Sequence, residues 1–158
     1  MHDAPFHIRP AREDDRIPLA VLFAAVAEER DGIATEPPVD IEARAASWTI
    51  DGTLVAVAGD EIVGALVIEA SRHGFGEFGM NVAREWRGRG VGSALLAAAI
   101  EWARERGLHK LSLGVFAHNA AAIALYRKFG FVEEGRHVKQ YRRASGELWD
   151  SVDMGLLL

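Results

Sequence analysis

Apolar positions recur along this chain with two periods, and the period in force divides it into elements. "FHIRPA" alternates and then meets Pro10, which predicts a short first strand. "REDDRIPLAVLFAAVAEERDG" has acids near its start and apolar residues at helical spacing, so a helix is expected up to Gly32. "GIATEPPV" reads as a loop and "DIEARAASWTI" as a second helix. "TLVAVAGDEIVGALVIEA" is two apolar runs separated by "GDE", the pattern of a hairpin. "FGEFGMNVA" alternates again as a strand, and Ser93 to Arg106 reads as a helix closed by Gly107. "HKLSLGVFA" is a strand, and "NAAAIALYRKFGF" is a helix capped by Asn119 and stopped by Gly130. "FVEEGRHVKQYRR", "ASGE" and "LWDSVDMGLLL" complete a last hairpin. No repeat or linker interrupts the pattern, so one mixed α/β domain over residues 1–158 is expected.

Composition narrows the functional classes. Apolar residues make up 49% and charged residues 26%, the balance of an ordinary globular protein. No apolar run has membrane-spanning length, and the start "MHDAPFHIRPARED" has no apolar signal core. The chain has no cysteine, which removes disulfides, thiolate metal sites and a cysteine nucleophile, and fits a cytoplasmic location. The six histidines show no metal-binding spacing, so no metal is expected. The net charge of −5 hides a division: residues 1–83 carry a balance of −9, residues 84–143 one of +7, and the tail one of −3. Such a division suits a polyanion on one side and a cation on the other, although solvated helix faces produce the same count. An acidic pI near 5.7 and the absence of a long basic stripe argue against nucleic acid.

The basic part begins with "REWRGRGVGSALL", where arginines and glycines crowd the point at which a helix is about to start. Clustered arginines repel and glycine costs backbone entropy, so a bound anion is the expected compensation. A helix start offers unpaired N–H groups and the positive end of the macrodipole, and Gly88, Gly90 and Gly92 would let those amides converge on it. A P-loop is excluded because no lysine follows, and a dinucleotide fingerprint fails because Ser93 stands in the third glycine slot.

"RGRGVG", residues 87–92, resembles the pyrophosphate-binding motif of the GNAT superfamily of N-acetyltransferases. "HNAAAIALYRKFGFVEEG", residues 118–135, is similar to the second signature of that family. The order of elements matches over essentially the whole chain. The resemblance implies an acyl-CoA N-acyltransferase fold: a central, mostly antiparallel sheet of about six to seven strands with about four helices. It also implies acetyl-CoA as donor, held by Arg87, Gly88, Arg89, Gly90, Val91, Gly92 and Ser93 at the pyrophosphate and by Met80, Val82, Asn119, Ala122 and Tyr126 along the pantetheine arm. A backbone N–H at Val82 would polarise the thioester carbonyl, and Tyr126 would protonate the departing thiolate. Asn119 and Tyr126 are seven residues apart and share a helix face with Ala122. Asn119 also reads as a plain N-cap, and Tyr126 as a core aromatic.

Without cysteine, direct transfer to the amine is the expected mechanism. Glu77 is the only carboxylate in "GEFGMNV" and shares a face with Gly79 and Asn81, so it is the candidate base, beside a chain of waters. The acidic stretch "EERDGIATE" falls where the family grips its acceptor, which makes Glu28, Glu29 and Glu36, with Asn81, candidate acceptor-binding residues, while ordinary solvation of a helix end gives the same run of acids. The implied acceptor is the primary amine of a small molecule, an amino acid or polyamine-like. A protein or peptide N-terminus and a non-catalytic acyl-CoA sensor are the other readings. Apolar residues in the last hairpin, among them Leu148, Trp149 and Leu156, leave a homodimer open.

Overall fold

The computed structural model describes residues 5–158, so the first four residues of the expected domain lie outside the described residues. The chain forms β1 (His7–Pro10), α1 (Arg16–Glu28), α2 (Ile41–Ser47), β2 (Thr53–Ala58) and β3 (Glu61–Ala70). It continues through β4 (Phe75–Val82), α3 (Val91–Glu105), β5 (Lys110–Phe116), α4 (Ala120–Lys128), β6 (Val132–Arg142) and β7 (Leu148–Leu157). The seven strands make one sheet in the order β1-β2-β3-β4-β5-β7-β6. Neighbours are antiparallel except β4 and β5. The mixed α/β class and the GNAT-type arrangement are therefore present as expected. Among the described residues no helix is long and apolar enough to cross a membrane.

Period-two alternation divides the core between the two faces of the sheet. Val55 and Val57 of β2 pack with Leu19, Leu22, Phe23 and Val26 of α1 and with Trp48. Leu54 and Ala56 of the same strand face the opposite way, into a core with Leu95, Leu96, Ala99 and Ala103 of α3. Leu111, Leu113 and Val115 of β5 and Phe78 of β4 join that second core.

The first helix ends at Glu28 rather than running up to Gly32, since Arg30 takes a left-handed backbone with φ of +56°. Three further boundaries differ from the sequence pattern for identifiable reasons. The first helix is preceded by a single 3-10 turn, Glu13–Asp15. The carboxylate of Asp15 accepts from Arg9 at 2.7 and 3.0 Å and from the Arg12 amide at 2.7 Å. The second helix stops at Ser47, because Trp48 is extended and turns its ring into the core, where the indole N–H donates to Thr53. The third helix begins at Val91, two residues before the expected start, immediately after Gly90.

Candidate active site

The parallel pair β4–β5 is the point where the sheet opens. The two strands are in register only from Phe75 opposite Lys110 to Glu77 opposite Ser112. Beyond that, β4 runs on to Val82 and β5 to Phe116 without pairing to each other. Ser71 N–H donates to the Phe75 carbonyl and Ala83 N–H to the Val63 carbonyl, each at 2.8 Å. The backbone groups of odd-numbered residues in β4 therefore point toward β3. Those of even-numbered residues point the other way, as the Gly74 carbonyl does in accepting from His109 N–H at 2.8 Å. The N–H groups of Met80 and Val82, beyond the last paired residues, are thus directed into the gap between the strands.

A cleft of about 1730 Å³ follows this gap across the sheet. On one side it is lined by Met80, Val82, Arg87, Gly88, Gly90, Gly92, Ser93, Asn119, Ala122 and Tyr126, ten of the twelve residues expected along the donor. Val91 turns its side chain into the core at 1% exposure, so its backbone alone is available there. Arg89 is also outside the lining and lies 4.5 Å over the Trp86 ring.

The start of α3 has the form of an anion cradle. Gly88 and Gly90 have φ of +74° and +87°, and the space above each Cα where a Cβ would stand is open. Helical bonding begins with Ala94 N–H donating to the Gly90 carbonyl at 3.0 Å. The amides of Val91, Gly92 and Ser93 before it have no intrahelical acceptor, and no side chain caps them. Gly92 differs from the other two: a Cβ there would stand 3.2 Å from Leu125 and 3.5 Å from Met80, so its lack of a side chain eases the close approach of α3 to α4 and β4. These residues fit a diphosphate.

Arg87 belongs to this loop, but its guanidinium turns away from the helix start. Its Nε donates to the Val82 carbonyl at 3.0 Å, and its two Nη atoms donate to Glu29 at 2.6 and 2.8 Å. The Glu29 carboxyl is held below its usual range, chiefly by these hydrogen bonds. An arginine expected at the phosphate and a glutamate expected at the acceptor thus engage each other and tie the glycine loop to the end of α1.

The opposite half of the cleft contains Glu77, Gly79 and Asn81 of β4, with Ser112, Gly114 and Phe116 of β5. Glu77 stands directly across from Glu69 of β3, and Gly114 directly across from Asp153 of β7. Of the four expected acceptor residues, Glu29 and Asn81 line the cleft and Glu28 and Glu36 do not. This corrects the expectation for that pair. Glu28 is exposed on α1, and Glu36 accepts from the Ala144 amide at 2.8 Å, with Arg143 Nε 3.9 Å away. The acidic stretch is a tethered wall: Arg143 also donates to the carbonyls of Ala34 and Ile33, and His118 approaches Asp31 at 3.0 Å.

On α4, Asn119 is the N-cap, its Oδ1 accepting from Ala122 N–H at 3.2 Å, and it also lines the cleft. The Tyr126 ring is buried against Phe78 and Phe131, each at 5.8 Å between centroids. Among the described residues its hydroxyl has no protein partner, and it is not enclosed, so the hydroxyl is the part of Tyr126 that meets the cleft. Burial pushes its pKa up to about 12, and it is protonated at any physiological pH. The Tyr126 ring thus belongs to the core and its hydroxyl to the cleft.

Sequence reasoning missed Phe23, Arg44 and Trp48 on the helical wall and His137 and Asp153 on the last hairpin, all of which line the cleft or its rim. His137 and Asp153 are 2.8 Å apart. Their positions carry no local signal, because α1, α2, β6 and β7 must assemble on the sheet before they converge.

An extended cleft across an opened sheet, with an amide cradle at one end and carboxylates at the other, suits a transferase that holds an anionic donor at one end and moves a group from it to a second substrate at the other. The chain belongs to the acetyltransferase (GNAT) family, whose model matches residues 21–131. It is 38% identical over 109 residues to an L-amino acid N-acetyltransferase of Escherichia coli, covering 64% of this chain and 65% of that protein. The chain thus spans just under two thirds of that relative's length. It is 31% identical over 140 residues to an L-methionine sulfoximine/L-methionine sulfone acetyltransferase of Pseudomonas aeruginosa, covering 82% and 81% of the two chains. A crystal structure of a ribosomal-protein-alanine N-acetyltransferase from Brucella melitensis superposes with a TM-score of 0.86 at 34% identity, covering 96% of this chain and 99% of that one.

Proposed function

We propose that the protein is an acetyl-CoA-dependent N-acetyltransferase that moves an acetyl group directly to the primary amine of a small molecule, an amino acid or a polyamine-like amine. The observation that carries this reading is the opened β4–β5 pair, whose unpaired N–H groups lie between an amide cradle and a protonated tyrosine. On this reading the pyrophosphate rests on the amides at the start of α3. The pantetheine arm runs past Asn119 and Ala122, and the thioester carbonyl accepts from an N–H of β4, with Val82 first and Met80 second in line. Bound acetyl-CoA supplies an activated acyl carbon and a thiolate leaving group.

The neutral amine attacks that carbon, a C–N bond forms and the C–S bond breaks. The amine proton passes to Glu77, directly or through water, and the sulfur takes a hydrogen bond from the Tyr126 hydroxyl. Donors aimed at developing charge act on the transition state more than on the ground state, which is what accelerates the step. With no cysteine in the chain, no acyl-thioester on the protein is needed or available. The reading takes no metal, one domain over residues 1–158 and a cytoplasmic setting.

The similarity to an L-amino acid acetyltransferase and to a methionine sulfoximine acetyltransferase supports a small-molecule acceptor. The similarity to a ribosomal-protein-alanine acetyltransferase supports the alternative, a protein N-terminus. Thiol release from acetyl-CoA, followed across amino acids, polyamines and N-terminal peptides, separates the two. Amine-stimulated release with free amino acids or polyamines is the expected result, release with peptides alone would move the assignment to protein acetylation, and release with none would leave a CoA-binding protein.

A further inference from the structure

Arg44 lines the acceptor half of the cleft from α2, and its surroundings distinguish it from the other cations. Its guanidinium carbon lies 3.8 Å from the centroid of Phe23 and 5.3 Å from that of Trp48. The stack fixes the group against one wall while its five N–H donors stay at the rim. Among the described residues no carboxylate or carbonyl accepts from them, and the side chain is only half-exposed. Burial lowers the Arg44 pKa, with no neighbouring acid to offset the effect. Arginines without an acceptor elsewhere, such as Arg30 and Arg72, stand on the open surface where water serves them. The remaining cations on the walls of this cleft are paired: Arg87 with Glu29 and Lys110 with Glu134.

A desolvated, positioned and unpaired guanidinium in a substrate cleft calls for a planar anion. The same cleft is lined by two glycines: Gly79 of β4, opposite Val67 of β3, has nothing within 4 Å of where a Cβ would stand, and at Gly114 of β5 an Asp153 carboxylate oxygen comes to 3.8 Å of that point. Glu77, two residues before Gly79 on β4, and Asp153, directly across from Gly114 on β7, bring carboxylates to this half of the cleft and suit an ammonium group.

We infer that Arg44 receives a carboxylate of the acceptor, so that the enzyme selects amino acids and rejects amines that carry no anionic group. This rests on the acetyltransferase reading above and decides between its two small-molecule acceptors. A polyamine brings only positive charge to a site that already holds one beside Phe23, which disfavours it. A peptide N-terminus has an amide where a free amino acid has its carboxylate, and leaves the guanidinium unanswered.

The test compares L-methionine with L-methioninamide, which differ in that one charge, and putrescine as an amine with no carboxylate. Steady-state kcat/KM is measured for each with the parent, Arg44→Lys and Arg44→Met. Calorimetry with CoA-loaded protein gives acceptor affinity independently of turnover. The parent should prefer methionine over its amide by roughly 10- to 100-fold, the worth of one charge-assisted pair. The preference should reside in KM, shrink in Arg44→Lys, which keeps the charge but not the fork, and collapse toward unity in Arg44→Met. Equal use of acid and amide by the parent, or an Arg44→Met protein that still discriminates, overturns the assignment of Arg44. Acetylation of putrescine in preference to methionine overturns it too while leaving the transferase reaction intact. Acetylation of no amine in the panel removes both.

Discussion

Replacing Tyr126 by phenylalanine removes one oxygen from the proposed chemistry and almost nothing from the fold. The ring keeps its edge-on contacts with Phe78 and Phe131, and the hydroxyl has no protein partner among the described residues to lose. The melting temperature at neutral pH should therefore stay within a few degrees of the parent or rise slightly. A phenol pushed up to about 12 holds its proton firmly, so it acts on the departing sulfur by hydrogen bonding rather than by full proton transfer. Its contribution is a charge-assisted hydrogen bond that strengthens as the sulfur becomes negative, worth about 1.5–3 kcal/mol and so roughly 10- to 150-fold in kcat. The KM for acetyl-CoA should barely move.

Alkaline stability supplies a second readout of the same group. The folded pKa lies above the unfolded value near 10, so this contribution is fully present below pH 10 and is lost as pH rises toward 12. The Phe variant lacks that loss and should gain on the parent by about 2–3 kcal/mol across the interval. Parental kcat in the variant at every pH would refute the role at sulfur. An identical alkaline unfolding profile would refute the buried environment from which it is argued.

Gly90→Val places a β-branched residue at φ +87°, which should both strain the loop and turn the amides of α3 away from a diphosphate. CoA affinity measured by calorimetry should fall at least tenfold, and unchanged affinity would relocate the phosphate site. Glu77→Gln keeps size and removes the charge, so kcat/KM should fall by roughly 10²–10⁴. A loss of only a few fold would assign the proton to water. Asp15, 8% exposed, is held below the usual aspartate range first by its hydrogen bonds from Arg9, so its stabilisation is present above pH 3.8 and is lost as pH falls through the depressed folded value. Asp15→Asn should lower denaturant-derived stability by about 1–3 kcal/mol at pH 7, with the gap to the parent closing in acid.

The glycine loop and the helix of Asn119 and Tyr126 were legible because their information is local. A glycine run before an apolar helical stretch, and an Asn seven residues before a Tyr, describe single turns and a single helix face. The acceptor half was not legible, because it depends on where β4 parts from β5 and on which helix ends reach over the gap. Glu29 and Glu36 show the limit from one side. Their acidity suggested an ammonium site, yet each is held by an arginine or amide from a distant element, Arg87 in one case and the Arg143–Ala144 turn in the other. Arg44 shows it from the other side: a lone arginine in a short helix carries no sequence signal until Phe23 and Trp48 stand beside it in the assembled cleft.

The central claim is that acetyl from acetyl-CoA reaches the nitrogen of a small amine without a stop on the protein. A rapid-quench single turnover with trideuteroacetyl-CoA and L-methionine, read by mass spectrometry of both small molecules and intact protein, tests it directly. The account predicts N-trideuteroacetyl-methionine and free CoA appearing together, at equal rates, with no acylated protein at any time. CoA released before the amide forms, label accumulating on the chain, or no labelled amide at all would contradict it.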